Sequence, residues 1–290
     1  MKYWLFIGLV GLALLNLFSC SEENAVAYAE YLPKIAVEGW IENGSTAIVM
    51  LSLSASFNHE LDTTYLLQQV IKSAKVSVSN GEQTELLTLG VDNRYLPPYV
   101  YYGNTIKGEI GKSYTLKIEY DNQILSAETY IPEPVALEDY WFVKDSSMDN
   151  AGHIHIKFKN TSDLFYQVAT RTYYESTFTP CLYGNFSSKQ FEKDESVSIQ
   201  INKGPILYPE VNFETFFSLW DVVDLKFRTQ PKQAYDFWTS WQNEVLNAQN
   251  PIFPANTNLK SNIKGGIGIW CGYGTSNYQI EITKQIIFGE

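Results

Sequence analysis

Ile35-Ala36-Val37-Glu38-Gly39-Trp40-Ile41, then Asn43-Gly44, then Thr46-Ala47-Ile48-Val49-Met50-Leu51-Ser52-Leu53: this stretch decides the fold class. Apolar and polar residues alternate with the period of a strand, and Asn-Gly between two such runs is the strongest short hairpin signal. The pattern repeats downstream. Ala74–Val78 precedes Asn80-Gly81 and Glu85–Leu89 follows it, while Tyr114–Tyr120 and Leu125–Ile131 flank Asp121-Asn122. About seven short strands with turn chemistry between them predict an immunoglobulin- or fibronectin-like β-sandwich over residues 31–134.

Ile131-Pro132-Glu133-Pro134 reads as a stiff extended connector, and so as a domain boundary near 134. Residues 135–290 read as a second β-rich domain. Its strands are Tyr140–Val143, His153–Phe158, Phe165–Tyr173 and Ser196–Ile201. One main helix is expected near 231–247, with Pro231 in its first turn and a stripe of Ala234, Tyr235, Trp238, Trp241, Val245 and Leu246. The whole is therefore expected to be mainly β. Gly265–Gly274 carries five glycines in ten residues, expected to make tight turns or a bulge, or else to let a ligand backbone come close.

The N-terminus is a leader. Lys2 is followed by an apolar run from Tyr3 to Phe18, the n- and h-regions of a secretory signal over residues 1–19. Leu17-Phe18-Ser19-Cys20 resembles a bacterial lipobox, which makes Cys20 the lipid attachment point and the new N-terminus. Residues 20–30 then form a tether. Ser21, Glu22 and Glu23 resemble the surface-export signal of Bacteroidota lipoproteins. The expected location is the outer membrane, anchored by lipid and exposed at the cell surface.

Composition excludes other classes. The chain has 290 residues, 45% of them hydrophobic, which is too apolar for a disordered segment. A net charge of −11 excludes nucleic acid as a partner, because phosphate binding needs a basic footprint. No P-loop, zinc-protease helix or Gly-x-Ser-x-Gly elbow occurs. Gly266-Ile267-Gly268 lacks the strand-to-helix context of a dinucleotide fingerprint. His153 and His155 share a strand face and supply at most half a metal site, so the plainer expectation is a solvated face. His59 reads as a loop residue. No catalytic residue, metal or cofactor is expected.

The aromatic residues are more informative. Tyr95, Pro97, Pro98, Tyr99, Tyr101 and Tyr102 form a ring-rich Pro-Pro loop, the expected contact surface, since interfaces favour such side chains. With Cys20 committed to lipid, Cys181 and Cys271 are the remaining thiols in an oxidising compartment. A disulfide between them is expected, with about 3–5 kcal/mol of stabilisation from loop closure. Two separate buried thiols are the alternative.

Larger blocks resemble a known family. The Ile35–Ile41 run, Tyr95-Leu96-Pro97-Pro98 and Lys107–Leu116 are similar to its N-terminal half. Phe227-Arg228-Thr229, the Trp-rich helix, Asn250-Pro251 and Ser261–Gly274 are similar to its C-terminal half. The family is the Bacteroidota lipoproteins known as domain of unknown function 4249. The resemblance implies an outer-membrane lipoprotein often encoded beside a TonB-dependent transporter, and brings no catalytic residues. The function expected is a non-catalytic binding or accessory subunit for an unknown nutrient ligand. The alternative is a lipid-anchored hydrolase acting on a glycan or peptide.

Overall fold

The computed structural model describes residues 32–54, 63–161, 163–204, 215–248 and 259–285, with the side chains of 63 and 245–248 excepted. The expected leader over residues 1–19, Cys20, Ser21, Glu22, Glu23, His59 and the Asn250-Pro251 segment lie outside the described residues. The protein is mainly β and sandwich-like, as expected.

The opening hairpin pairs β1 (Ile35–Glu42) with β2 (Thr46–Leu53), and Gly44 at the turn has φ 78°. There follow α1 (Thr63–Gln68), β3 (Lys75–Ser79), β4 (Thr84–Leu86), β5 (Thr88–Val91) and β6 (Tyr99–Lys107). Next come β7 (Ser113–Tyr120) and β8 (Gln123–Tyr130), joined through Asp121 and Asn122, both at positive φ as a two-residue hairpin with matching twist requires. Beyond the prolines lie β9 (Leu137–Lys144), β10 (Ala151–Lys159), β11 (Phe165–Thr172), β12 (Thr179–Ser187), β13 (Ser196–Ile201), β14 (Phe217–Ser218) and β15 (Val222–Gln230). The chain ends in α2 (Lys232–Ala248) and β16 (Ile267–Glu281).

The two halves expected to be separate domains share one sheet. Its order is β12-β11-β15-β16-β1-β2-β6-β5, and residues 33–290 form one compact unit. The first part of β16 runs parallel to β1, from Ala36↔Ile267 to Glu42↔Tyr273. Its second part runs antiparallel to β15, from Thr229↔Gly274 to Val222↔Glu281. A single 15-residue strand thus belongs to both halves. The Pro132–Pro134 connector passes against this strand instead of separating two bodies. A Cβ on Gly272 would lie 2.3 Å from the Tyr130 carbonyl oxygen, and one on Gly274 2.1 Å from that of Pro132. Gly265 makes the expected turn at φ 83° and Gly266 a bend, whereas Gly268, Gly272 and Gly274 lie in the strand, and the last two let another backbone cross it.

Two smaller sheets cover one face of the large one. The sheet β4-β3-β7-β8 encloses a core with Val37, Ile41, Val49, Leu116, Ile118 and Leu125, and β9, β10, β13 and β14 form the other sheet. That second core centres on Phe158, whose ring lies 5.0–5.8 Å from those of Phe227, Tyr166 and Phe186. Trp270 of β16 is fully buried in the first core, and its Nε1 donates to the Tyr114 carbonyl at 3.1 Å.

The expected disulfide is absent. Cys181 and Cys271 are free and buried. Cys181 lies in the second core, with its Sγ 3.5 Å from Thr170 Oγ1, while Cys271 lies under α2 on the opposite face. Two strands, β11 and β15, stand between β12 and β16. At about 4.8 Å per strand the cysteines are roughly 14 Å apart, beyond disulfide reach. Burial pushes the Cys181 thiol up to about 12 and Cys271 higher still, so both are poor nucleophiles.

Two outcomes follow for the protein in solution. Trp270→Ala removes the largest fully buried side chain and is expected to cost about 3–5 kcal/mol, read as a loss of denaturation midpoint. Unreduced protein should show both Cys181 and Cys271 silent to a thiol reagent when native and reactive once unfolded; failure of either to react after unfolding would mean that it is bonded.

Candidate functional site

The other face of the large sheet builds the site. Strand alternation that sends Val37 and Ile41 into the first core sends Glu38, Trp40 and Glu42 the opposite way. Ile48 and Met50 of β2, Lys226 and Arg228 of β15, and Tyr273 of β16 share this face. Helix α2 covers part of it. Ala234 and Phe237 pack on Ile269, Cys271 and Tyr273, and Trp238 Nε1 donates to the Tyr273 hydroxyl at 2.8 Å. The helix is also tied to the sheet through Asn185, whose Nδ2 donates to the Tyr235 carbonyl and to Thr239 Oγ1. Where the helix does not reach, a hollow of about 640 Å³ remains. Its walls are α2, the 92–98 loop and residues 176–180.

A charged triad lies on the floor. Glu42 accepts from Lys226 Nζ at 2.5 Å and from Arg228 Nη2 at 2.7 Å. Arg228 Nη1 also donates to Gln167 Oε1 at 3.1 Å, and its guanidinium lies 4.5 Å from the Tyr273 ring centroid. Lys226 and Arg171 lie 4.5 and 4.7 Å from the Phe178 ring, within cation–π range. Burial pushes the Glu42 carboxyl up, but the charges of Arg228 and Lys226 outweigh this and hold it below the ordinary range. Lys226 is held below its own ordinary range, first by burial and then by the like charge of Arg228, with Glu42 opposing.

The remaining charges of the hollow are matched, except one. Arg171 pairs with Asp224 at 2.5 Å. Arg94 clasps both oxygens of Asp92, which also accepts from the Tyr102 hydroxyl. Glu38 has no hydrogen bond or ion pair among the described residues. Its carboxylate is open to the hollow but surrounded by the walls, and that desolvation raises its pKa. Trp40 stands between the two acids on β1, with its ring 6.2 Å from that of Tyr95.

The residues expected to form a contact loop divide between wall, strand and core. Tyr95, Pro97 and Tyr99 line the hollow. Pro98 is half-buried, and the strand β6 begins at Tyr99, so the loop is shorter than expected. Tyr101 is a core residue, since its hydroxyl donates to the Ile71 carbonyl at 3.0 Å and accepts from the Ala74 N–H. Tyr102 is half-buried and held by Asp92. His155 stacks on Trp141, and His153 lies 3.7 Å from Asp145, both away from the hollow's lining. Among the described residues no three His, Cys, Asp or Glu side chains group as a metal site would require. Sequence reasoning passed over Glu38, Glu42, Lys226 and Arg228. The available signal was Glu-x-Trp-x-Glu on one core strand and Lys-x-Arg on another, opposite charges alternating on strands with buried inner faces.

The family described as Domain of unknown function (DUF4249) matches residues 23–279, and the chain belongs to that family. No curated protein sequence matches it.

The triad sets a stability prediction. Glu42→Gln leaves two buried cations without an anion and is expected to cost about 3–5 kcal/mol. The lowered Glu42 carboxyl stabilises the fold fully above its unfolded value of about 4.5, and that contribution fades as pH falls below it. Urea midpoints from pH 7 to pH 3 should therefore converge for wild type and Glu42→Gln on acidification.

Proposed function

We propose that this member of the family is a lipid-anchored subunit of the outer-membrane surface, held through Cys20, which binds a nutrient ligand without transforming it and delivers it to a TonB-dependent transporter. The observation that carries the binding role is the hollow: preformed, walled by aromatic rings and set on a rigid sheet with a few fixed charges. The anchor rests on the Leu17-Phe18-Ser19-Cys20 sequence, and surface exposure on Ser21, Glu22 and Glu23.

The competing reading is a hydrolase acting on a glycan or peptide. The raised Glu38 and lowered Glu42 resemble the divided carboxylates of an acid–base pair. Geometry argues against it. Glu38 and Glu42 are four residues apart along β1, their Cα atoms about 13 Å apart, with Trp40 on the same face between them. Both oxygens of Glu42 are also occupied by Lys226 and Arg228.

Affinity capture of the tagged protein from native outer membranes should recover a TonB-dependent transporter, and Cys20→Ala should move the protein out of the detergent phase. Capture of the protein alone, with turnover of a glycan or peptide, would replace this reading with the hydrolase.

A further inference from the structure

The hollow has an uneven charge pattern. At one end Lys226 and Arg228 share the single carboxylate of Glu42, leaving one positive charge in excess. At the other end Glu38 has no partner among the described residues and leaves one negative charge in excess. The Arg171–Asp224 and Arg94–Asp92 pairs contribute no net charge between them. Glu38 and Glu42, the acid on which the two cations of β15 converge, share one face of β1 with their Cα atoms about 13 Å apart. Between and around them stand the rings of Trp40, Tyr95, Phe178, Trp238 and Trp241.

Lys226 and Arg228 are largely buried and share one carboxylate, and Glu38 is exposed to the hollow with no partner among the described residues, so Coulomb attraction at each end favours a ligand group of the opposite sign. An extended peptide advances about 3.3–3.6 Å per residue, so three or four residues span the gap from amino to carboxyl terminus. The cavity is also within the ~300–1,000 Å³ range of small-ligand sites. We propose that the hollow binds a short peptide as a zwitterion, its α-ammonium on Glu38, its carboxylate at Lys226 and Arg228, and its side chains against the rings. Main-chain direction along β1 is thereby fixed by charge, while the rings accept apolar side chains of varied shape. The peptide assignment rests on the binding role proposed above and gives it a substrate class.

Three synthetic pools of tetrapeptides drawn from alanine, serine, leucine and phenylalanine test it: one with free termini, one N-acetylated and one C-amidated. Each is incubated with the full-length protein purified in detergent, and retained members are read by mass spectrometry. The free pool should be retained, and blocking either terminus should weaken retention about tenfold, the loss of one charge-assisted contact. Glu38→Gln, which breaks no pair in the protein, should weaken the free pool about tenfold and leave the N-acetylated pool unchanged. Lys226→Gln should do the same for the C-amidated pool. Equal retention of all three pools, or of none, would overturn the proposal. Retention of maltotetraose without peptides would overturn the peptide class while leaving a binding role in place. Recovery of the transporter with no ligand retained would reduce the chain to a docking subunit.

Discussion

Everything on the open face depends on the parallel pairing of β1 with β16. Seven register pairs join the first strand described to the last, and they set the half containing Val37 beside the half containing Phe227. Parallel neighbours cannot be joined by a tight turn, and here most of the chain lies between the two strands. The pairing brings Glu42 to Arg228 across 186 positions of sequence. Two Asn side chains supplement the ladder, one past its end and one at Trp270 within it. Asn43 exchanges hydrogen bonds with the Thr275 backbone, and Asn262 with that of Trp270.

A buried ion cluster is a poor route to stability, because desolvation of three charges opposes their attraction. Its value here is specificity of position. Glu42 sits on β1, and Lys226 and Arg228 on β15, with β16 between them. A slip of one residue at either pairing would turn one partner to the other face and strand the rest without a counter-charge. The same cluster holds β1 and β15 in register and leaves a local excess of positive charge in a protein whose net charge is −11. Structure and binding thus draw on the same side chains, and a site of this kind is stiff before any ligand arrives.

Local features were legible in the sequence and long-range ones were not. The β1–β2 and β7–β8 hairpins carry their own turn residues, and α2 carries Pro231 and a 3.6-residue stripe, so each declares itself within about twenty positions. β16 did not, because all five glycines of Gly265–Gly274 read as turn or bulge; Gly265 does turn, but Gly272 and Gly274 answer to a backbone crossing by residues 130–134 that no local window contains. Cys181 and Cys271 looked like partners because they were the thiols left once Cys20 was assigned to lipid, whereas strand order separates them and puts them on opposite faces. The aromatic wall was half legible: Tyr95 and Tyr99 line the hollow, while Tyr101 spends its hydroxyl inside the core. The charges of the site were visible as residues but not as a site, since their meaning comes from a pairing of strands more than 180 residues apart.

The most direct measurement is native-state hydrogen exchange on the intact protein, followed by mass spectrometry of peptides from β1, β8, β15 and β16. If the shared sheet governs stability, residues 36–42 and 267–273 open together with β15, at the free energy of global unfolding. Loss of protection over residues 35–130 in a separate step, with residues 137–281 still protected, would contradict it.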